Sequence, residues 1–366
     1  MSDPVLLETR GPLGLITLDR PRALNALDLG MIRIVQPQLD AWERAPEVKA
    51  VVIRSSSSKA FCAGGDVRAV AASVDQPTAA GEMPLYAAYF RAEYALNHRI
   101  HHYAKPFIAF VDGISMGGGL GLSIHGSHRV VTERLLFAMP ETGIGLFPDV
   151  GGGWFLPRFP GETGTYLGLT GARATAADAM WVGYGTHHVP HDRLDALLDA
   201  LREALQKTHD AVEEGSGGSG GSGDTGAASA LVTRVCASFA TDAGPAPLQA
   251  LAGEIDRCFA GERVEDILAA LAAEDTPWAE ATRATLLRMS PSSLKVTLRQ
   301  LRTCRGLSYD EVRAVETRLS DAVVARHDFR EGIRAVLVDK DQAPRWNPAT
   351  LAEITDEDVA ACFAGV

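Results

Sequence analysis

The chain has 366 residues, 46% hydrophobic and 22% charged, the composition of a folded globular protein with room for one large domain or two ordinary ones. Its formal net charge is −11, from 35 Lys and Arg against 46 Asp and Glu, which argues against nucleic-acid or anionic-membrane partners. Cys62, Cys236, Cys258, Cys304 and Cys362 form no C-x-x-C pair, so free thiols in a reducing, cytoplasmic setting are expected, without a disulfide framework or a metal site.

The N-terminal Met1-Ser2-Asp3-Pro4 lacks the basic and then apolar pattern of a signal peptide. No apolar run reaches the roughly 18–20 residues of a membrane span. Residues 5–10 and 15–19 read as short strands joined at Gly11-Pro12. Arg20-Pro21-Arg22-Ala23-Leu24-Asn25 is a loop with two cations. Asp28 caps a helix reaching about Arg44, with a bend expected at Pro37. Residues 48–54 form a strand, and Phe61-Cys62-Ala63-Gly64-Gly65-Asp66 leads into a helix. Residues 73–83 read as a mobile connection before a helix over 85–103.

The unbroken apolar run Phe107-Ile108-Ala109-Phe110-Val111, between Pro106 and Gly113, reads as a buried strand. Gly113 to Gly121 then carry glycines towards a helix, placing bare backbone N–H groups where charge can be received. Strands at 129–132 and 135–138 follow, then a helical pattern from Gly151 and a last strand within 182–189. Strands and helices alternate, so residues 1–210 are expected to form an α/β core. The Gly/Ser run 215–223 marks a flexible connector, bounded at 211–228. Residues 229–366 read as a helical region, with amphipathic segments at 248–259, 264–272, 278–288, 291–302 and 309–326. Ser290-Pro291 and the capping box Ser308 to Glu311 mark two helix starts.

Several patterns compete for the chemistry. Gly113-Ile114-Ser115-Met116-Gly117 matches the nucleophile elbow of serine hydrolases, with His187 or His188 and an upstream Asp as partners, although three consecutive glycines after it are unusual there. His98, His101 and His102 share a helical face without the carboxylate of an H-E-x-x-H pattern, and they read as packing or surface histidines, as do His125 and His128. Cys62 reads as a small buried, inert thiol. Glu141 and Asp149 stand among apolar and small residues, from Phe137 to Pro148 and then Gly151-Gly152-Gly153. Desolvation there would raise their pKa values towards the range useful for proton transfer. A pair of helix caps or salt-bridge partners is the competing account.

Ala60-Phe61-Cys62-Ala63-Gly64-Gly65-Asp66, Gly113 through Gly121, and Met139 through Gly152 together resemble the enoyl-CoA hydratase/isomerase (crotonase) superfamily. Phe90-Arg91-Ala92-Glu93-Tyr94, Met139-Pro140-Glu141 and Phe147-Pro148-Asp149-Val150-Gly151-Gly152 are similar to its 3-hydroxyisobutyryl-CoA hydrolase branch. The resemblance implies a crotonase-like spiral of ββα units with a helical C-terminal region, and a small-molecule acyl-CoA substrate without a separate cofactor. It implies that the amides of Gly65 and Gly118 hold the thioester oxygen. It puts Glu141 and Asp149 at the catalytic step and Glu93 at the acyl hydroxyl. Arg20, Arg22, Ala23, Ala63 and Asp66 would meet CoA, with Lys59 a further cation near them.

Hydratases of this superfamily carry two catalytic glutamates; the second corresponds to Glu141, but the first falls where this chain has Gly121, which favours thioester hydrolysis over water addition. The resemblance implies hydrolysis in valine breakdown, on 3-hydroxyisobutyryl-CoA and also on its 3-hydroxypropionyl analogue. An enoyl-CoA hydratase or isomerase, and a non-catalytic acyl-CoA-binding protein, are the alternatives.

Overall fold

The computed structural model describes residues 3–74, 82–214 and 223–364. Internal contacts divide the chain into two compact units that alternate along the sequence. The first comprises Met1–Gly65, Leu96–Phe137 and Ala174–Pro247; the second comprises Asp66–Ala95, Ala138–Arg173 and Leu248–Val366. Residues expected to form one N-terminal core are therefore shared between both units. Of the connector expected at 211–228, residues 211–214 end the helix Leu194–Glu214 and residues 223–228 begin the helix Gly223–Phe239. Residues 215–222 lie outside the described residues, as do 75–81 of the mobile connection expected at 73–83.

In the first unit, among the described residues, a six-stranded sheet is built from β1 (Val5–Arg10), β2 (Leu13–Leu18), β3 (Ala50–Ser55), β5 (Phe107–Val111), β7 (His128–Val131) and β10 (His187–His188), in that spatial order. β1 and β2 form the antiparallel hairpin expected at Gly11-Pro12, and the remaining neighbours are parallel. β5 is buried along its whole length, which accounts for its unbroken apolar run. Leu197, Leu201 and Leu205 recur at four-residue spacing on the helix Leu194–Glu214 and pack with Leu13, Leu15, Val52 and Ile108 of the sheet. Each such leucine contributes about 1.5–3 kcal/mol on full burial.

A second sheet, in the order β4 (Ala60–Cys62), β6 (Ile114–Met116), β8 (Leu136–Ala138) and β9 (Ala174–Thr175), carries the glycine segments. β6 and β9 are absent from the sequence expectations: three residues and two are too few to show a period of two. The strand expected within 182–189 shrinks to His187–His188, because residues up to Val182 complete the helix Ala176–Val182.

The second unit is mostly helical. Asp328, Phe329, Gly332 and Ile333 are the buried positions of the helix His327–Ile333, which lies against the turn Glu141–Ile144. The approach is close enough that a Cβ on Gly145 would strike the backbone of Asp328, and one on Gly332 would strike Ile144. The helix Pro291–Cys304 begins at Ser290, whose Oγ accepts the Ser293 N–H at 3.1 Å. The helix Tyr309–Val323 begins with the expected capping box of Ser308 and Glu311. The segment expected as one helix over 309–326 ends at Val323 and resumes as His327–Ile333.

Candidate active site

The glycine segments belong to the first unit. β4 and β6 are parallel, with Ala60 opposite Ile114 and Cys62 opposite Ser115, so Gly65 and Gly118 follow the same ends of neighbouring strands. A Cβ on Gly119 would collide with the Cys62 carbonyl oxygen, so only glycine permits this approach. Gly65 bridges to Leu27, whose N–H donates to the Gly64 carbonyl at 2.9 Å. Gly118 opens the helix Gly118–Ser123, where its N–H has no intrahelical acceptor. Gly121 is buried within that helix and brings no carboxylate.

The loop expected to meet CoA is held by its own polar groups. Asn25 is fully buried; its Oδ1 accepts the Arg20 N–H at 2.8 Å and its Nδ2 donates to Ser55 Oγ at 2.7 Å. The Arg20 guanidinium pairs with Asp28 at 2.9 Å and donates to the Ala26 carbonyl at 2.6 Å. Arg20 is thus committed to shaping the loop. Arg22, Ala23 and Lys59 are exposed, and the Ala63 N–H donates to the Leu24 carbonyl at 3.0 Å. Asp66, half-buried, precedes the helix Val67–Ser73 in the second unit.

The second unit gathers the carboxylates. Glu141 opens the 3-10 turn Glu141–Ile144 after β8, and Asp149 lies eight residues on, before the helix Gly152–Phe155. Glu93 and Tyr94 come from the helix Leu85–His101, within the part that belongs to this unit. Glu93, Glu141 and Asp149 are only 2%, 5% and 4% exposed. Glu141 and Asp149 form no ion pair and cap no helix with their side chains among the described residues, so the cap and salt-bridge account of them does not hold.

Burial pushes the Glu141 carboxyl well above the usual range, and the negative charges of Asp149 and Glu93 add to the effect. Glu93 is raised well above its usual value by burial and by Asp149, against a hydrogen bond from Tyr89. Burial lifts Asp149 to about 7, while the Tyr94 hydroxyl, donating to its Oδ2 at 2.9 Å, and a backbone N–H pull it down. Oε2 of Glu141 and Oε1 of Glu93 have no hydrogen-bond partner among the described residues. Buried polar atoms are nearly always paired, so such oxygens mark where a polar ligand or water would bind.

Glu316, absent from the sequence expectations, belongs to the same unit. It is 2% exposed, and burial lifts it to about 8 against two backbone N–H donors. Its signal was present: Val312, Val315, Leu319 and Val323 line the buried face of its helix, and a glutamate shares that stripe. Tyr94 lay within a quoted motif without a role; its partner is fifty-five positions away in sequence.

The serine-elbow candidate dissolves. Ser115 lies in β6 and is fully buried, and its Oγ is 3.3 Å from the Tyr184 hydroxyl, not beside an imidazole. His187 Nδ1 pairs with Thr186 Oγ1 and His188 Nδ1 with Thr241 Oγ1. The His102 ring meets His98 at a tilt and His101 edge-on, and His128 bridges Ser127 and Thr233. All five cysteines are free and buried.

Parallel strands ending in glycine turns, with buried carboxylates on the helical elements, define an α/β protein of the crotonase fold. The chain matches the family described as enoyl-CoA hydratase/isomerase over residues 13–363 and belongs to it. It is 45% identical over 362 residues to a protein of Danio rerio named "3-hydroxyisobutyryl-CoA hydrolase, mitochondrial", covering 99% of this chain and 90% of the relative. The Homo sapiens protein of the same name is 42% identical over 358 residues, covering 98% and 88%. Among solved structures, a carnitinyl-CoA dehydratase from Mycobacterium thermoresistibile matches with a TM-score of 0.88 at 38% identity, over 100% of this chain and 97% of the other. An enoyl-CoA hydratase from Rhodobacter sphaeroides 2.4.1 matches with a TM-score of 0.83 at 36% identity, over 99% and 97%. These bear out the crotonase resemblance and its hydrolase branch. The names of those relatives place them in mitochondria, which does not support the cytoplasmic expectation. No helix among the described residues is long and apolar enough to cross a membrane.

Proposed function

We propose that this chain hydrolyses 3-hydroxyisobutyryl-CoA, and by the same chemistry 3-hydroxypropionyl-CoA, to the free hydroxy acid and CoA. The observation that carries the reading is the pair Glu141 and Asp149, desolvated together in one unit, while Gly121 lacks the first hydratase carboxylate. The names of the hydrolase relatives support it across nearly the whole chain.

The steps follow from the groups. The Gly65 and Gly118 amides receive the charge that develops on the thioester oxygen; such a donor is worth roughly 2.7–4 kcal/mol in acyl transfer. Glu141, its carboxyl pushed upward by burial, reacts as the carboxylate once its proton passes to Asp149, which a tyrosine hydroxyl favours in its ionised form. Glu141 then attacks the carbonyl carbon and the C–S bond breaks. The CoA sulfur takes the proton back, and water cleaves the resulting anhydride. Water activated by Glu141 as a general base gives the same products in one step. Glu93 accepts a hydrogen bond from the acyl hydroxyl through its unpaired oxygen. A site built for that hydroxyl rejects acyl groups without it.

The test is release of free thiol from (S)-3-hydroxyisobutyryl-CoA by wild type and by Glu141→Gln. Rapid release lost by about 10²–10⁴-fold in the variant supports the reading. Thiol release by wild type that survives in Glu141→Gln removes Glu141 from the chemistry. Water addition to crotonyl-CoA without thiol release would replace hydrolysis by hydration, the activity named for the Rhodobacter protein.

A further inference from the structure

We infer that Glu316, with Gln300, is a positioning residue for this hydrolysis, holding the loop that presents Asp149. The inference rests on the role proposed for Asp149. Glu316 Oε2 accepts the Gly151 N–H at 2.7 Å, and its Oε1 accepts the Gly153 N–H at 2.9 Å. Gln300, fully buried on the helix Pro291–Cys304, donates from Nε2 to the Pro148 carbonyl at 2.9 Å and to Glu316 Oε1 at 3.2 Å. The backbone is therefore gripped on both sides of Asp149 by two side chains from helices more than a hundred residues further along the chain.

The loop needs that grip. Val150 has φ +50° and Gly151 φ +91°. A β-branched residue in the left-handed region is strained, and it persists only where the surroundings over-determine it. Within the loop, the Gly152 N–H donates to the Asp149 carbonyl at 2.7 Å, which tightens the turn but does not anchor it. A Cβ on Gly153 would lie 3.0 Å from Cys304 Sγ and 3.2 Å from Gln300 Nε2, so the segment sits directly on the gripping helix.

The residue type is specified by the donors. Two backbone N–H groups and the Gln300 amide face the two Glu316 oxygens, and a carboxyl group is the side chain that offers an acceptor at both ends. Glutamine in its place turns an NH₂ towards one of those amides. Through the loop, this displaces Asp149 relative to Tyr94 and Glu141. Displacement of a reacting group by about 1 Å costs on the order of a hundredfold in rate.

The experiment compares wild type, Glu316→Gln and Gln300→Met in thiol release from (S)-3-hydroxyisobutyryl-CoA, with hydrogen exchange at the Gly151 and Gly153 amides. For both variants, kcat is expected to fall by roughly ten- to a hundredfold, with KM within about twofold of wild type. For Glu316→Gln, the two amides are expected to exchange at least about tenfold faster while the protein still melts cooperatively. Wild-type kcat in both variants, or a raised KM with kcat unchanged, overturns the inference. If Glu316→Gln does not fold, Gln300→Met decides by the same kinetic criteria. If wild type itself releases no thiol, the hydrolase reading fails on its own. The exchange rates then decide the grip: unchanged protection in Glu316→Gln overturns it, and lost protection upholds it.

Discussion

The glycine segments of the first unit and the carboxylate cluster of the second are built by opposite means. At Gly65 and Gly118 the groups proposed to work are backbone amides, carried on residues without side chains just beyond β4 and β6. At Glu93, Glu141 and Asp149 the groups proposed to work are side chains, which the fold buries and whose carboxyl pKa values burial pushes upward. The first arrangement is local and depends on shape. The second depends on burial supplied by helices distant in sequence, and its pKa values exist only in the folded state. An amide donor is indifferent to pH, whereas a carboxylate titrates.

The sharpest break in that comparison is Gly119→Ala. Its Cβ would press on the Cys62 carbonyl and part the two glycine segments. Loss of a well-placed oxyanion donor costs about 10²–10³-fold in kcat. The expected kinetic signature is a fall of that order with an unchanged pH profile. A shifted pH profile would show that the two kinds of group are not separable.

Tyr94→Phe tests the other side. It removes the hydroxyl that favours ionised Asp149, so Asp149, at about 7, moves upward. Hydrogen bonds to charged groups are worth about 1.5–3 kcal/mol, so near neutral pH kcat/KM should fall by roughly ten- to a hundredfold. The acid limb of the profile should move to higher pH, and an unmoved limb would remove Asp149 as the titrating group.

Stability should answer with the opposite sign. Glu141 and Asp149 bind protons more tightly folded than unfolded, because their folded pKa values are raised. Their contribution is full below the unfolded values, about 4, and is lost as pH rises through the folded ones, about 7 for Asp149. Glu141→Gln should therefore melt above wild type near pH 8, and the gap should close towards about pH 4. Calorimetry at the two pH values checks this; a gap independent of pH would mean that Glu141 titrates normally.

Arg22→Ala is a smaller effect. An exposed cation meeting a phosphate is worth up to about 1 kcal/mol, so KM for the CoA thioester should rise by no more than about fivefold, and less at high salt. Arg20→Ala should instead lower the melting temperature, since its partners are Asp28 and the Ala26 carbonyl. The smallest effect is expected from Ser115→Ala, whose hydroxyl meets only Tyr184 among the described residues. Its thiol-release rate should stay within about twofold of wild type.

The sequence by itself determined the local parts. Apolar runs placed β3 and β5, and Asp28, Ser290 and Ser308 placed helix starts, since each signal lies within a few residues of what it specifies. Glu141 and Asp149 were legible as candidates, but whether they were functional carboxylates or structural ones depended on what covered them. Only the tertiary structure shows what covers them: it buries both, without ion pairs among the described residues, and sets the Tyr94 hydroxyl on Asp149. It also decided that Arg20 bonds within its own loop, that the Ser115 hydroxyl meets that of Tyr184, and that Glu316 and Gln300 bond to the turn at Val150. Desolvation and long-range hydrogen bonds are properties of neighbours brought together by folding, and no window of sequence contains them.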